Sequence, residues 1–274
     1  MTTTQLEKAN QLQELHRKPG AFLIPNPWDA GSARLLAALG FEALATSSAA
    51  AAGVLGRRDG RMTRKESLAN ARIIVEATDL PVAADLEHGF GDSPAAAAKT
   101  ILIAAGIGLV GGSIEDARAV REKPIYDIAL ATERVAAAVQ AARSLPFPFT
   151  LAARAENFVR GNPNLDDTIK RVVAYERAGA DVLFAPGLPD LASVRAVCSA
   201  VSKPVNFAVG GRGKSFSVAE LAEAGVKRIS FAASFYRAAM TALADAAREA
   251  RETGTFSFVN RAMLTPELNR FFPE

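Results

Sequence analysis

The sequence holds little of what disulfide-bonded, membrane-spanning or nucleic-acid-binding proteins require. It has one cysteine, Cys198, in 274 residues, which excludes a disulfide framework and a cysteine-based zinc site within a single chain. No apolar run is long enough to span a bilayer, and the N-terminal segment carries Glu7 and Glu14, which a signal peptide would not. The formal net charge is only +3, and lysine and arginine alternate with acids instead of forming a basic stripe. We therefore expect a cytoplasmic protein that binds neither membranes nor nucleic acids.

What the sequence does contain is a regular alternation of short apolar runs and longer segments with helical periodicity. The apolar runs span residues 21–25, 42–46, 81–85, 109–114, 149–154, 181–185, 204–208 and 228–232. The helical segments between them are Ala-rich and include residues 93–105, 132–144, 166–178, 190–201 and 217–224. Eight strands alternating with helices, with no Gly-rich dinucleotide fingerprint after the first, predict an α/β fold of the closed (β/α)8 (TIM) barrel type.

No Ser/Pro/Gly-rich linker divides the chain, so we expect residues 1–274 to form a single barrel domain. The C-terminal stretch, residues 254–274, is too apolar for a free tail. It contains Phe256, Phe258, Phe271 and Phe272. We expect this stretch to be an extension that packs on a partner subunit.

Acidic residues follow several of the predicted strands, at the end of the barrel where catalytic groups lie. Asp59, Asp85, Glu87 and Glu115 come from three strand ends or their loops. Carboxylates packed this closely repel one another, and a divalent cation removes the conflict. A few carboxylate oxygens, completed by water and substrate, are typical of a magnesium or manganese site and not of a zinc site. The alternative is that these acids are solvated loop residues or helix caps.

Arg154 ends the fifth predicted strand and is the cation expected inside this ring of acids. Its planar guanidinium suits a substrate carboxylate or an enolate oxygen. The alternative is a purely structural pairing with Glu115 or Glu156. Asp116 follows Glu115 directly, so it points to the other face of the strand, where we expect a structural salt bridge.

Ser47, Ser48 and the backbone N–H groups around them, including that of Ala49, could hold a substrate carboxylate. The alternative is that the serines cap the Ala-rich helix that follows. His88 lies beside the metal acids on a turn, where a supporting or solvent-facing role is expected instead of that of a base.

These residues together resemble the isocitrate lyase and phosphoenolpyruvate mutase superfamily, over residues 20–240. The resemblance rests on the motifs Asn26-Pro27-Trp28-Asp29, Thr46-Ser47-Ser48, Asp85-Leu86-Glu87-His88-Gly89-Phe90-Gly91, Ile114-Glu115-Asp116 and Ala153-Arg154-Ala155-Glu156. It implies a barrel whose last helix swaps with a neighbouring subunit in a homodimer or homotetramer. It also implies Mg²⁺ bound through Asp85, with waters held by Asp59, Glu87 and Glu115. Substrate oxygens would meet Ser47, the following N–H groups and Arg154.

The chain departs from the superfamily pattern at three places. Lyases that cleave isocitrate or methylisocitrate have a Lys-Cys-Gly-His loop after the fourth strand, where this chain has residues 117–123 without a cysteine. Phosphonate-forming members have an asparagine on that loop, and residues 117–126 contain none. Those members also tend to have a histidine where this chain has Ala185-Pro186. The departures argue against the isocitrate lyase and mutase reactions.

The remaining prediction is a Mg²⁺-dependent carbon–carbon lyase or decarboxylase. It would act on a small, oxaloacetate-like 2-oxo or 2-hydroxy di- or tricarboxylic acid through a metal-stabilised enolate. Arg154 would stabilise charge, and Arg121, Lys123 or Tyr126 would deliver the proton. One alternative is a phosphate-binding barrel enzyme using residues 210–213 and 232–234. Another is a barrel that binds keto acids without catalysis.

Overall fold

The computed structural model describes residues 3–118, 123–211 and 216–272. Its strands are β1 Phe22–Ile24, β2 Leu44–Ala45, β3 Val82–Asp85, β4 Gly111–Glu115, β5 Thr150–Arg154, β6 Val182–Phe184, β7 Val205–Ala208 and β8 Arg228–Ser230. Its helices are α1 Gln5–Arg17, α2 Ala30–Ala38, α3 Ser48–Val54, α4 Arg64–Glu76, α5 Pro94–Gly106, α6 Ile128–Arg143, α7 Leu165–Arg177, α8 Leu191–Ser199, α9 Val218–Glu223, α10 Ser234–Glu252 and α11 Thr265–Asn269. Single 3-10 turns occupy Asn157–Val159 and Ser257–Arg261.

The strands form one parallel sheet in the order β1-β8-β7-β6-β5-β4-β3-β2. A backbone hydrogen bond from Ala45 N to Pro25 O (2.9 Å) joins the two ends of this order. Asn26 strengthens the closure, because its side chain donates to Thr46 O and accepts from Phe231 N, both at 2.8 Å. The predicted (β/α)8 barrel is confirmed, whereas the helix swap stays a prediction.

Side-chain caps explain where most of the helices begin. Thr4, Thr63 and Ser217 each form a reciprocal capping box with a glutamate three residues later. The predicted start of α6 at residue 132 is wrong, since the helix begins at Ile128. Thr132 lies inside it, and its hydroxyl donates to Ile128 O at 2.7 Å instead of capping the helix.

Helix α1 covers the N-terminal ends of the strands. Ala9, Leu12 and Leu15 are buried there in one cluster with Ile24 and Val110. The amphipathic face of α1 therefore fills the lower barrel interior and leaves the opposite end, where the strands finish, for chemistry.

Helix α10 and the C-terminal stretch expose apolar side chains. No residue of α10 is buried, and Leu243 on this helix is 60% exposed. In the C-terminal stretch, Phe256 and Leu264 are 63% and 64% exposed. Packing of this surface on a partner subunit stays a prediction. No helix in the described part of the chain is long and apolar enough to cross a membrane.

A buried cluster around Asp116 ties the end of β4 to β5 and α7. The Asp116 carboxylate accepts from Tyr175 Oη at 2.6 Å, from Arg171 Nη1 at 3.0 Å and from the Glu156 backbone N at 2.8 Å. Asp116 is only 3% exposed, so its negative charge depends on these donors. The predicted structural role of Asp116 is confirmed.

We expect Asp116→Ala to lower the free energy of unfolding by about 3–5 kcal/mol, because it leaves Arg171 and Tyr175 buried without their acceptor. Urea denaturation followed by circular dichroism measures this. The matched control is Asp245→Ala, which removes an exposed acid paired with Arg248 and should change stability little. Equal midpoints for both variants would contradict the structural role of Asp116.

Candidate active site

A cavity of about 520 Å³ opens at the C-terminal ends of the strands and extends into the barrel. Its inner wall is made of small strand residues. They are Ala45, Ala83, Gly112, Ser113 and Ala208. Because these side chains cannot fill the interior, the upper barrel is hollow where α1 does not reach. The predicted site residues Ser47, Ser48, Ala49, Asp59, Asp85, Glu87, Glu115 and Arg154 all line this cavity.

Arg154 lies at the centre of the acidic side of the cavity. Its guanidinium contacts Asp85 Oδ1 at 2.9 Å and Glu115 Oε2 at 3.0 Å. A third contact, to Glu156 Oε1, is 2.8 Å long. Burial would lower the pKa of Arg154, but the carboxylates of Glu156, Glu115 and Asp85 outweigh it and raise that pKa well above its usual range. Arg154 is therefore a permanent cation, held by acids from three strand ends or the residues just after them.

Asp85, the last residue of β3, is stabilised as an anion by its donors. Its Oδ2 accepts from the backbone N of Ser48 at 3.1 Å and from Ser48 Oγ at 2.7 Å. Its Oδ1 accepts from Glu87 N at 3.2 Å, in addition to the contact with Arg154. Burial alone would raise the pKa of Asp85, but Arg154 and the bonds from Ser48 lower it below its usual value. Asp85 is thus an ionised carboxylate at the barrel mouth.

Glu87 is held in an unusual state two residues later. Its backbone adopts a φ of +47°, a left-handed conformation that non-glycine residues rarely adopt outside functional sites. Its side chain is 9% exposed, and its Oε1 has no hydrogen-bond partner among the described residues. Burial, with Asp85 and Asp59 nearby, raises the pKa of Glu87 to about 7. The geometry therefore presents a carboxylate oxygen that lacks a donor or a cation.

Glu115, the last residue of β4, is a second acid whose negative charge is incompletely neutralised. It is 6% exposed and is contacted by Arg154 and by Arg160 Nη2 at 3.2 Å. Burial raises the pKa of Glu115 even so, because the two arginines are shared with Glu156. The described cations at this end of the cavity do not fully neutralise its acids.

The donor set suits a hard divalent cation. Asp85, Glu87, Glu115 and the exposed Asp59 offer only carboxylate oxygens, and the unpartnered Glu87 Oε1 is the kind of atom that a cation or its water would satisfy. Within residues 3–118, 123–211 and 216–272, no three or more His, Cys, Asp or Glu side chains form a ready metal-binding group. The carboxylate oxygens and the unpartnered Glu87 Oε1 would instead suit an ion held through few protein ligands and several waters, as Mg²⁺ prefers. The ranking with Asp85 as direct ligand stays a prediction.

The remaining predicted residues are Ser47 and Ser48, which line the cavity, and the loop residues Arg121 and Lys123. Ser47 Oγ accepts from Ala50 N at 3.4 Å and caps α3, so the capping interpretation holds for Ser47, while Ser48 is bound to Asp85. Lys123 is exposed and does not line the cavity, so its catalytic role stays a prediction. Arg121 lies outside the described residues.

The structure does not bring Tyr126 into the cavity. Its hydroxyl donates to Asp92 Oδ1 at 2.6 Å, and its ring packs under the Arg134 guanidinium at 4.4 Å. Burial and the Asp92 carboxylate raise the pKa of Tyr126. The proton-donor role of Tyr126 therefore stays a prediction that this arrangement does not support. His88 is half-buried, as a supporting residue would be, and its carbonyl accepts from Arg134.

Three further arginines line the cavity that sequence reasoning did not identify. Arg160 follows the 3-10 turn after β5, and Arg237 on α10 donates to Gly210 O at 3.0 Å. Arg228 stands at the start of β8, deep in the barrel. Arg228 could have been found because it is a charged residue inside an apolar run. The alternative prediction of a phosphate-binding loop at residues 210–213 stays a prediction, because residues 212 and 213 lie outside the described residues.

Comparisons with known proteins agree with this fold. The family model described as phosphoenolpyruvate phosphomutase matches residues 12–251. A crystal structure from Burkholderia cenocepacia J2315, provisionally named a lyase/mutase, is 52% identical, with a TM-score of 0.96 and coverage of 97% of this chain and 96% of that one.

Two curated relatives are named as lyase and decarboxylase. The 2-methylisocitrate lyase of Escherichia coli K12 is 32% identical, covering 86% of this chain and 82% of the relative. Oxaloacetate decarboxylase 2 of Pseudomonas putida W619 is 28% identical, covering 81% and 74%. The match to the family model spans nearly the whole barrel, including every acid that lines the cavity. The chain therefore belongs to the phosphoenolpyruvate phosphomutase family, within the isocitrate lyase and phosphoenolpyruvate mutase superfamily.

Proposed function

We propose that this protein is a Mg²⁺-dependent carbon–carbon lyase or decarboxylase acting on a small 2-oxo or 2-hydroxy di- or tricarboxylic acid. The observation that carries the proposal is the arrangement at the barrel mouth. One arginine, Arg154, is shared among Asp85, Glu115 and Glu156, and an unpartnered Glu87 oxygen lies beside them. The names of the relatives, a lyase and a decarboxylase, support a reaction of this class.

Mg²⁺ at the carboxylates would supply positive charge for the carboxylate and 2-oxygen of the substrate. The protein's own contribution is to orient and stabilise. Arg154 is fixed by its ion pairs and by the Phe184 ring at 5.2 Å, so it needs no rearrangement to donate to a developing enolate oxygen. Glu87 and Glu115 are themselves shielded from water, at 9% and 6% exposure.

Decarboxylation demands least of these residues. When a 3-carboxy-2-oxo acid loses carbon dioxide, the C3–carboxylate bond breaks and its electron pair becomes the enolate, so no protein base is required. Cys198 cannot serve as a thiol acid, since it lies on α8 outside the cavity and burial raises its pKa to about 11. Cleavage of a 2-hydroxy acid would additionally need a base for the hydroxyl proton. We therefore place oxaloacetate-like substrates first.

Asp85→Asn is expected to lower kcat/KM by about 100-fold or more, because it removes the anion that the cation and Arg154 both contact. Purified protein with Mg²⁺ is assayed against oxaloacetate, 2-methylisocitrate and dimethylmalate. Asp79→Asn, an exposed acid outside the cavity, is the control and should retain wild-type rates. No turnover of any substrate, together with unchanged Mg²⁺ affinity in Asp85→Asn, would refute the proposal.

The rise in Tm caused by Mg²⁺ should be small near about pH 6 and larger near about pH 8. Glu87, with a pKa of about 7, must lose its proton before it can hold a cation or its water. Differential scanning fluorimetry across this pH range measures the shift. A Mg²⁺ shift that is independent of pH would contradict the role of Glu87.

In the metal-free protein, the contribution of Glu87 to the free energy of unfolding should fall as the pH rises. Because the folded state raises the pKa of Glu87 from 4.5 to about 7, its contribution to stability is present below 4.5 and is lost as the pH rises towards 7. Glu87→Gln should therefore be more stable than the wild type near about pH 8, by roughly 3 kcal/mol, while its Mg²⁺ shift is weaker. Glu76→Gln, an exposed acid on α4, is the control and should follow the wild type.

A further inference from the structure

Arg228 is a buried cation with no acid to pair with. It is 7% exposed, and among the described residues no carboxylate forms a salt bridge with it. Among the described residues, the only hydrogen bond of its side chain runs from Nε to Asn206 Oδ1, at 2.7 Å. Charges this deep are normally paired, since desolvation otherwise costs several kcal/mol. Burial accordingly lowers the pKa of Arg228 to about 10, with no neighbouring charge to offset it.

The groups around Arg228 are neutral or positive. Asn206 lies beside it on β7, and its amide donates to Ser230 Oγ at 3.0 Å. His16 faces Arg228 from α1, and burial, with Arg228 nearby, lowers the pKa of His16 to about 3, so the imidazole is uncharged at neutral pH. Lys227 precedes Arg228 and donates to Gly20 O at 2.5 Å. Nothing described at this depth supplies a negative charge.

Arg228, Asn206 and Ser230 all line the same cavity as Asp85 and Arg154. Nε is engaged by Asn206, which leaves the two terminal amino groups of Arg228 without a described hydrogen-bond partner. Because Arg228 lines the cavity, its guanidinium is accessible to a ligand there. The cavity therefore has an acidic mouth and a cationic floor.

The volume of the cavity allows one ligand to reach both ends. About 520 Å³ lies well within the range of pockets that enclose whole small molecules, and several wall residues between mouth and floor are alanine, glycine or serine, beside the larger Ile24 and Phe184. A ligand that ended at the mouth would leave the Arg228 guanidinium without an anionic partner among the described residues.

We propose that Arg228, with Asn206 and Ser230, forms an anion subsite at the floor of the barrel that binds a second, distal carboxylate of the substrate. This subsite rests on the function proposed above, because it assumes that the 2-oxo acid end of the substrate lies at Asp85 and Arg154. Within the di- and tricarboxylic acids proposed above, it concerns a distal carboxylate other than the one lost as carbon dioxide, because pairing the leaving carboxylate with a cation would oppose decarboxylation. The distal carboxylate would accept from the free amino groups of Arg228 in a fork-like pair.

The test compares 2-oxo acids that differ only in the distal group. Binding of 2-oxoglutarate and 2-oxoadipate is measured by calorimetry with Mg²⁺ against 2-oxovalerate and 2-oxohexanoate, which have the same chain lengths without the second carboxylate. Oxalate, which reaches only the mouth, reports on the first subsite alone. The wild type should bind at least one dicarboxylate about 10- to 100-fold more tightly than the monocarboxylate of the same chain length, as expected for a charge-assisted pair shielded from bulk water.

Arg228→Met removes the charge at similar volume and should reduce that preference to within about threefold, while oxalate affinity is unchanged. Arg228→Lys should retain part of the preference, because it keeps the charge without the fork. Arg195→Met, on the exposed face of α8, is the matched control and should behave as the wild type. If Arg228 had a purely structural role, its substitution would change the affinities of all ligands together. Thermal melts check that each variant is folded.

The outcomes separate the two proposals. If oxalate binds with Mg²⁺ but neither dicarboxylate is preferred, or if the preference survives in Arg228→Met, the floor subsite is wrong and the proposed function stands. If oxalate fails to bind the wild type with Mg²⁺, the proposed function fails at the mouth. A dicarboxylate preference that depends on Arg228 would then support the anion subsite by itself.

Discussion

The site depends on one constraint: the Arg154 guanidinium must neutralise carboxylates delivered by three neighbouring strands, aided by Arg160 only at Glu115 and Glu156. Arg154 contacts Asp85 after β3, Glu115 at the end of β4 and Glu156 just after β5. Since buried charges are stable only when paired, the ends of these strands must keep the spacing that these contacts require. The acids outnumber the charge available from Arg154, and the raised pKa of Glu87 is the measurable consequence. A divalent cation would resolve this imbalance.

The strand alternation separates this functional charge from the structural one. Glu115 faces the cavity, whereas its neighbour Asp116 faces α7 and is fully bonded to Arg171, Tyr175 and the Glu156 backbone. Adjacent acids therefore have opposite roles. The satisfied cluster behind the strands holds β4 and β5 in place, so that the strained and incompletely neutralised residues in front of them keep their geometry.

The fold and the acidic half of the site could be predicted because both follow periodic rules. Apolar runs of strand length mark the barrel, and the residues just after them mark its active end, which identified Asp85, Glu115 and Arg154. Tyr126 could not be placed from sequence, because its contact with Asp92 joins residues 34 positions apart. Arg160 was missed because it follows a 3-10 turn instead of ending a strand. Arg228 sits at the start of a strand, where the same rule predicts packing and not chemistry.

The case of Arg228 shows why that rule is incomplete for this barrel. Residues at the lower ends of strands normally fill the core, but here α1 supplies the filling with Leu12 and Leu15, and the inward strand residues above it are small. The interior therefore has room for a long polar side chain that still reaches the cavity. A buried cation opposite an acidic mouth gives the cavity a charge polarity along its length, and a substrate with two acidic ends of unequal metal affinity could bind in one orientation only. Orientation of this kind would present the same bond to Arg154 in every turnover, which is the condition that charge stabilisation at a fixed guanidinium requires.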